Sequence, residues 1–421
     1  MKRKMLCDGV SYAFIPTNKF KTTLISFGFY LPLEKQNAAA NALTLELMKS
    51  GTVEEPETLL FNRRLAGLYG ASVSTSEMKL GDKQALRLSL MFLNDKFSLK
   101  GESITNEATK LICDMVFGRY FNNSDYPQTA FLREKRLLCE YVLAEYNDKR
   151  KYARARCEEI VSAGEPFENS PLGTAEKIEK ISAEDIKIAL ARLLEKAFIA
   201  IQVVGAEEPC GFAEKMTELI QNVKREYKPF RQDILKSAGE VKRVSEKLPV
   251  NQGKLVMGLR TDKLDKKDFA TMSVMTDIFG GGPYSLLFNN VREKQSLCYY
   301  CAARAVRQKG LIFVESGVEQ KNIKLAEKSI LEQFESVKNG NFTENDFNSS
   351  VLSLCDAMKT VNSDQEAIDR WYSLRSMEEN AFSPEGMIEA VKSVTRDDVS
   401  RLAKTFSLDT VFTVETKGEN E

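Results

Sequence analysis

The chain contains the same pattern twice. Without a gap, LISFGFYLPLEKQNAAANALTLELMKSGT at residues 24–52 lies over LVMGLRTDKLDKKDFATMSVMTDIFGGGP at residues 255–283. Each copy reads as an apolar strand, a charged turn, a helix and a glycine stop. A second block repeats as well: Ser182-Ala-Glu-Asp-Ile leading to residues 198–205 lies over Thr395-Arg-Asp-Asp-Val leading to 411–418, which ends at Gly418. In both copies a Ser/Thr-x-x-Asp capping pattern opens a helix that feeds a β-rich run. Such a repeat constrains the fold before any local motif does, because each copy must build the same unit. The expected architecture is α+β: two homologous, duplicated domains, each a mostly antiparallel sheet with helices packed on one face. At 43% hydrophobic residues, the 421-residue chain can give each domain a core.

Local patterns fill in the rest. A long helical pattern runs through residues 130–160, with Leu132, Cys139, Leu143 and Tyr146 at roughly helical spacing. Alternation predicts strands at 71–76, 85–93, 299–307 and 311–317, and Thr343-Glu-Asn-Asp346 caps a further helix. Residues 212–223 read as a helix closing the first domain, after which Pro229, Gly239, Pro249 and Gly253 bracket a charged, weakly patterned stretch. The expected organisation is a first domain at 1–228, a linker at 229–250 and a second domain at 251–421. Trp371-Tyr372 is expected to anchor the second-domain core, and the basic run from Lys149-Arg150-Lys151 to Arg156 to form a solvated face beside Asp148 and Glu158.

Composition excludes several chemistries. The chain has no histidine, so a Ser-His-Asp or Cys-His arrangement, a histidine base and a His-ligated metal cannot come from it. Lys+Arg and Asp+Glu are equal at 60 each, so no net charge steers the chain toward nucleic acid or an anionic membrane. The eight cysteines are scattered and read as reduced, buried thiols. Only Cys298-Tyr-Tyr-Cys301 has C-x-x-C spacing, and no second pair completes a zinc site. The first residues, MKRKMLCDGVSYAFIP, lack the apolar core of a signal peptide, and no run approaches the roughly 20 apolar residues of a membrane span. A cytoplasmic location is the expectation.

The segment from Gly280-Gly-Gly-Pro-Tyr-Ser-Leu-Leu-Phe through Val291-Arg-Glu-Lys to Leu297-Cys-Tyr299 resembles the second-domain signature of the pitrilysin/insulinase family, which includes the mitochondrial processing peptidase subunits. Gly173-Thr, Ile181-Ser-Ala-Glu-Asp-Ile and Val203-Val-Gly205 are similar to the end of that family's first domain, so the likeness spans the chain. Members of the family are zinc peptidases in which H-x-x-E-H on a helix supplies two ligands and an activating glutamate.

The resemblance implies that this motif is lost here. Counting back from Gly51-Thr52, its three positions fall on Ala42, Leu45 and Glu46. The downstream glutamate ligand would fall within residues 132–141, with Tyr141 in the preferred register and Glu140 beside it. No zinc is therefore expected in this chain. The resemblance also implies that Arg292 and Tyr299 are kept as the Arg/Tyr pair that contacts substrate, with Gly280, Gly281, Gly282 and Ser285 in the adjoining binding turn. Arginine offers a planar fork of donors and tyrosine an O–H near a developing oxyanion. A chain that lost the first site and kept the second is expected to pair with a zinc-bearing homologous subunit and handle extended peptides, with a homodimer also open. The other expectation is a non-proteolytic peptide-binding or assembly scaffold. Read from pattern alone, Arg292 pairs with Glu293, Tyr299 fills a core, and the glycine turn permits close chain approach without phosphate-loop context.

Overall fold

The structure is a computed structural model that describes residues 2–231, 233–378 and 382–416. Its strands are β1 (Lys2–Cys7), β2 (Val10–Pro16), β3 (Thr22–Pro32), β4 (Ser72–Leu80), β5 (Lys83–Leu93) and β6 (Phe198–Gly205), then β7 (Lys242–Leu248), β8 (Gly253–Arg260), β9 (Cys298–Val306), β10 (Leu311–Val318) and β11 (Ser407–Thr416). They form two sheets, ordered β1-β2-β6-β3-β5-β4 and β7-β11-β8-β10-β9. With β1 set aside, the orders correspond strand for strand. In each sheet one pair is parallel, β2 with β6 and β7 with β11, and the other pairs are antiparallel. The duplication read from the sequence is thus present in the topology, and the fold is α+β.

The repeat holds at the level of single elements. The helices Ala38–Lys49 and Phe269–Gly280 are each 12 residues long and begin at aligned positions. Ser182 and Thr395 each close a full capping box, with Asp185 and Asp398 as the reciprocal partners. Gly418 lies outside the described residues. In β3, Ile25, Phe27, Phe29 and Leu31 alternate onto one face and join Leu86, Leu88, Leu90 and Phe92 of β5 in the first core, roofed by helices including Ile104–Cys113. The stretch 229–250 contains β7, whose exposed lysines and arginine hide the strand from a hydrophobic pattern. It is an edge strand, and only Val244 and Leu248 reach a core.

The chain divides into two compact units, neither of which is a continuous half. One comprises residues 1–143, 169–231 and 361–381, and the other 144–168, 232–360 and 382–421. The helix Lys149–Val161 therefore belongs with the second sheet, where Ala153, Cys157 and Val161 pack on Val256, Phe313, Phe412 and Val414. Reciprocally, the helix Gln365–Ser373 belongs with the first sheet, where Ile368 and Tyr372 pack on Ala13, Ile15, Leu24 and Val204. Each lies on the sheet face opposite the main helical layer and crosses a glycine: a Cβ on Gly28 would meet Ser373 Oγ at 3.0 Å, and one on Gly258 would meet Val161 Cγ2 at 3.3 Å.

Three expectations are corrected by this exchange. The pattern over 130–160 is two helices, Gln128–Glu145 and Lys149–Val161, with Asp148 capping the second. In the first, Ala130, Phe131, Glu134 and Leu138 are buried, while Leu132, Leu143 and the following Tyr146 are exposed. Trp371 and Tyr372 pack against the first sheet, not the second-domain core. The basic run is only in part a solvated face: Lys151 is exposed, but Arg150 and Arg154 pair with nearly buried Glu315 of β10 at 2.9 and 3.3 Å, and Arg156 pairs with Glu246 of β7 at 3.0 Å.

A buried carboxylate fixes each exchanged segment. Asp369, fully buried, accepts from Ser26 Oγ at 2.6 Å and pairs with Arg87 Nε. Glu165, just past the other helix, pairs with Arg260 and, at 2.8 Å, with fully buried Lys309. Burial opposes ionisation of Glu165, but the bonds from Lys309 and Arg260 outweigh it and hold the carboxyl below its ordinary range. Removing one partner leaves the other charge buried alone. Asp369→Ala and Glu165→Ala should each lower unfolding free energy in urea melts by about 3–5 kcal/mol; a loss below about 1 kcal/mol would show that the buried pairs do not hold the exchanged segments.

Candidate functional site

The helix Ala38–Lys49 has become a packing element at two of its three motif positions. Ala42 is buried among Ala39, Leu43, Leu47, Ile178 and Ile181, and Leu45 lies in the first sheet's core with Met48. Neither residue carries a donor atom for a metal. Glu46 at the third position is committed elsewhere, accepting from Thr75 Oγ1 on β4 and from Lys49 Nζ. Tyr141 is exposed on the helix Gln128–Glu145, and neighbouring Glu140 pairs loosely with Arg136 at 3.7 Å. These residues do not fit a zinc ion: two positions are hydrocarbon, and the one carboxylate already faces an ammonium. Among the described residues no three His, Cys, Asp or Glu side chains cluster so as to hold a metal.

The sequence did not point to Glu77, which lies next to Glu46 on β4. Burial, and then the charge of and hydrogen bond with Glu46, push its carboxyl up to about 8. Glu77 thus favours its protonated form beside a position where the resemblance implied a lost metal motif. The second repeat places a carboxyl at the aligned position too: Asp277 is buried, which raises its carboxyl above the ordinary range, and it accepts from Tyr284 Oη at 2.7 Å.

The second unit presents a different surface. Gly280 ends its helix beneath β9, so closely that a Cβ there would lie 2.6 Å from the Ala303 amide nitrogen. Gly281 donates its N–H to Asp277 O, and Ser285 is buried, donating its N–H to Gly282 O. This turn feeds a π-helical stretch, Leu287–Lys294, that carries Arg292; wide turns of this kind recur at functional sites. Ser296, with φ of 50°, then swings the chain into β9. Arg292 is half-exposed, with its guanidinium 4.5 Å from the Phe288 ring centroid and 3.5 Å from Glu293. Tyr299 is 56% exposed, so it does not fill a core. It follows Cys298 at the start of the edge strand β9, and Arg292, on the π-helical stretch before that strand, is near enough for its charge to act on the Cys298 thiol.

The Glu77 proton has a thermodynamic consequence. As pH rises above the ordinary carboxylate range the unfolded chain releases it, whereas the folded chain keeps it until about 8. The folded state then binds more protons, so stability is fully present at low pH and falls through that window. Glu77→Gln should flatten the dependence in urea melts across the window; an unchanged slope would remove the Glu77 proton from the account.

Comparison with known proteins accords with this geometry. A family model described as the peptidase M16 inactive domain matches residues 180–354. The chain is 28% identical over 413 residues to the probable inactive metalloprotease YmfF of Bacillus subtilis, covering 96% of this chain and 95% of that protein. It is 24% identical over 287 residues to the non-peptidase homolog YmxG of Helicobacter pylori, covering 64% of this chain and 66% of that one. A conserved protein from Enterococcus faecalis V583 shares the fold with a TM-score of 0.90 at 23% identity, over 100% of this chain and 99% of that one. A peptidase M16 inactive domain from Pseudomonas fluorescens does so at 0.80 and 17%, over 99% and 98%. Among the described residues no helix is long and apolar enough to cross a membrane. With its duplicated fold and these similarities together, the chain is similar over its full length to inactive members of the peptidase M16, or insulinase-like, family.

Proposed function

We propose that this chain is the catalytically incomplete subunit of an M16-type peptidase, contributing Arg292 and Tyr299 to a heterodimer whose zinc-motif-bearing homologous partner cleaves extended peptides. The observation that carries the reading is the unequal fate of the two sites. Ala42 and Leu45 are sealed in hydrocarbon, while Tyr299 on the edge strand β9 and Arg292 on the π-helical stretch before it remain open to solvent. An edge strand offers main-chain donors and acceptors to an added peptide strand, which gives affinity with little demand on sequence. Arg292 would hold a peptide carbonyl with its fork of N–H donors, and Tyr299 would donate to the oxygen on which charge develops. Zinc in the partner would supply the activated water.

A non-proteolytic peptide-binding or assembly scaffold is the second reading, favoured by the descriptions of both relatives as inactive or non-peptidase. Assaying the chain with its zinc-motif homologue separates the two. For the heterodimer, Arg292→Ala combined with Tyr299→Phe should lower partner-dependent cleavage of a quenched peptide at least about tenfold while circular dichroism stays unchanged. Unchanged cleavage would remove both residues from the role, and no cleavage by a demonstrated complex would favour the scaffold.

A further inference from the structure

Cys298 and Cys301 stand three residues apart on β9, and in an unbroken strand such side chains point to opposite faces. The pairing with β10 changes this. Cys298 lies opposite Val318, whereas Tyr300 lies opposite Gly317 and Cys301 opposite Ser316. One extra residue is therefore bulged out of β9 between Cys298 and Tyr300, and the alternation resets across it. Since cross-strand partners share a face, Cys298 and Cys301 come to the same side as Val318 and Ser316. Tyr300 points the other way, with the Arg150 guanidinium 4.3 Å from its ring centroid.

The two thiols are nearly buried on the face they share with Ser316, the cross-strand partner of Cys301. The bond from Cys301 holds the Cys298 thiol below its ordinary range against the effect of burial, with Ser316 and the Arg292 charge adding to it. The same bond, and then burial, push Cys301 up. Two thiols on one face, one made more acidic and the other less, are the arrangement of an attacking and a resolving cysteine.

We propose that Cys298 and Cys301 form a dithiol redox site, which hydroperoxides oxidise to a disulfide across the bulge at Tyr299. The Cys298 thiolate attacks one peroxide oxygen, the O–O bond breaks, and sulfenic acid and hydroxide form. The hydroxide takes the Cys301 proton. The Cys301 sulfur then attacks the Cys298 sulfur, and the S–O bond breaks to release hydroxide, which is protonated to water. The two sulfurs lose two electrons in all and the peroxide gains them; a small dithiol reverses the change by exchange. Three extended residues span about 10 Å, whereas a disulfide holds its Cα atoms within about 4.4–6.8 Å. Closing the bond therefore draws β9 further into its bulge and re-aims Tyr299. The assignment of the site does not rest on the peptide-binding reading.

The test uses the full reduced chain, treated with hydrogen peroxide, denatured, alkylated with N-ethylmaleimide and mapped by mass. The expected result is a peptide containing both cysteines that has lost two hydrogens, takes up no N-ethylmaleimide and regains both thiols with dithiothreitol. Hydrogen exchange at the Tyr299 amide should change with oxidation. In folded Cys301→Ser protein, Cys298 should stop as a sulfenic acid that dimedone traps. The wild-type result needs no variant to fold. Oxidation of Cys298 straight to sulfinic acid with Cys301 still alkylatable would overturn the proposal, as would two unreacted thiols under peroxide that oxidises exposed Cys210.

Discussion

Two buried carboxylates govern how this chain is assembled. Asp369, between Ser26 and Arg87, fixes a helix from late in the sequence on the first sheet, and Glu165, between Arg260 and Lys309, fixes a segment from early in the sequence on the second. A charge taken out of water is tolerated only where its partners are in place, so each pair selects one arrangement of the exchanged segments. Each sheet covers its second face in part with a helix from the other repeat. The glycines at Gly28 and Gly258 complete the arrangement by letting those helices approach the strands.

Within that frame the two repeats have diverged at corresponding places. The aligned helices Ala38–Lys49 and Phe269–Gly280 both pack inward, and each keeps a carboxyl at the aligned position, Glu46 and Asp277. Glu46 accepts from Lys49 and Thr75 and lies beside Glu77, whose ionisation burial and the Glu46 charge oppose. In the second repeat the turn after the helix widens into the π-helical stretch carrying Arg292, and β9 bulges to expose Tyr299. Ala42 and Leu45 are thus packing residues, while Arg292 and Tyr299 present donors to solvent.

What was legible in the sequence was what depends on neighbours along the chain. The capping boxes at Ser182 and Thr395, the matched helices and the strands β5, β9 and β10 all follow from local periodicity and hydrogen bonding. What was missed depends on distant partners. Helical spacing placed Leu132, Leu143 and Tyr146 on one pattern, yet nothing in that spacing says the helix breaks at Asp148 and continues on another sheet. Trp371 and Tyr372 follow their helix to the first sheet because Asp369 meets Arg87 there. β7 is too polar to announce itself, and Glu77 gains meaning only once β4 brings it to Glu46. The bulge that sets Tyr299 outward and turns Cys298 toward Cys301 exists only in the register with β10.

We propose that the helix Ala38–Lys49 is held by hydrocarbon packing and the contacts of Glu46, with no place for zinc. This is tested most directly by equilibrating the purified chain with zinc, separating free metal by gel filtration and measuring the metal that elutes with the protein. No stoichiometric zinc should elute with the protein, and replacing Glu46 by Gln should change nothing. Zinc that co-elutes in stoichiometric amount and is lost in Glu46→Gln would contradict it.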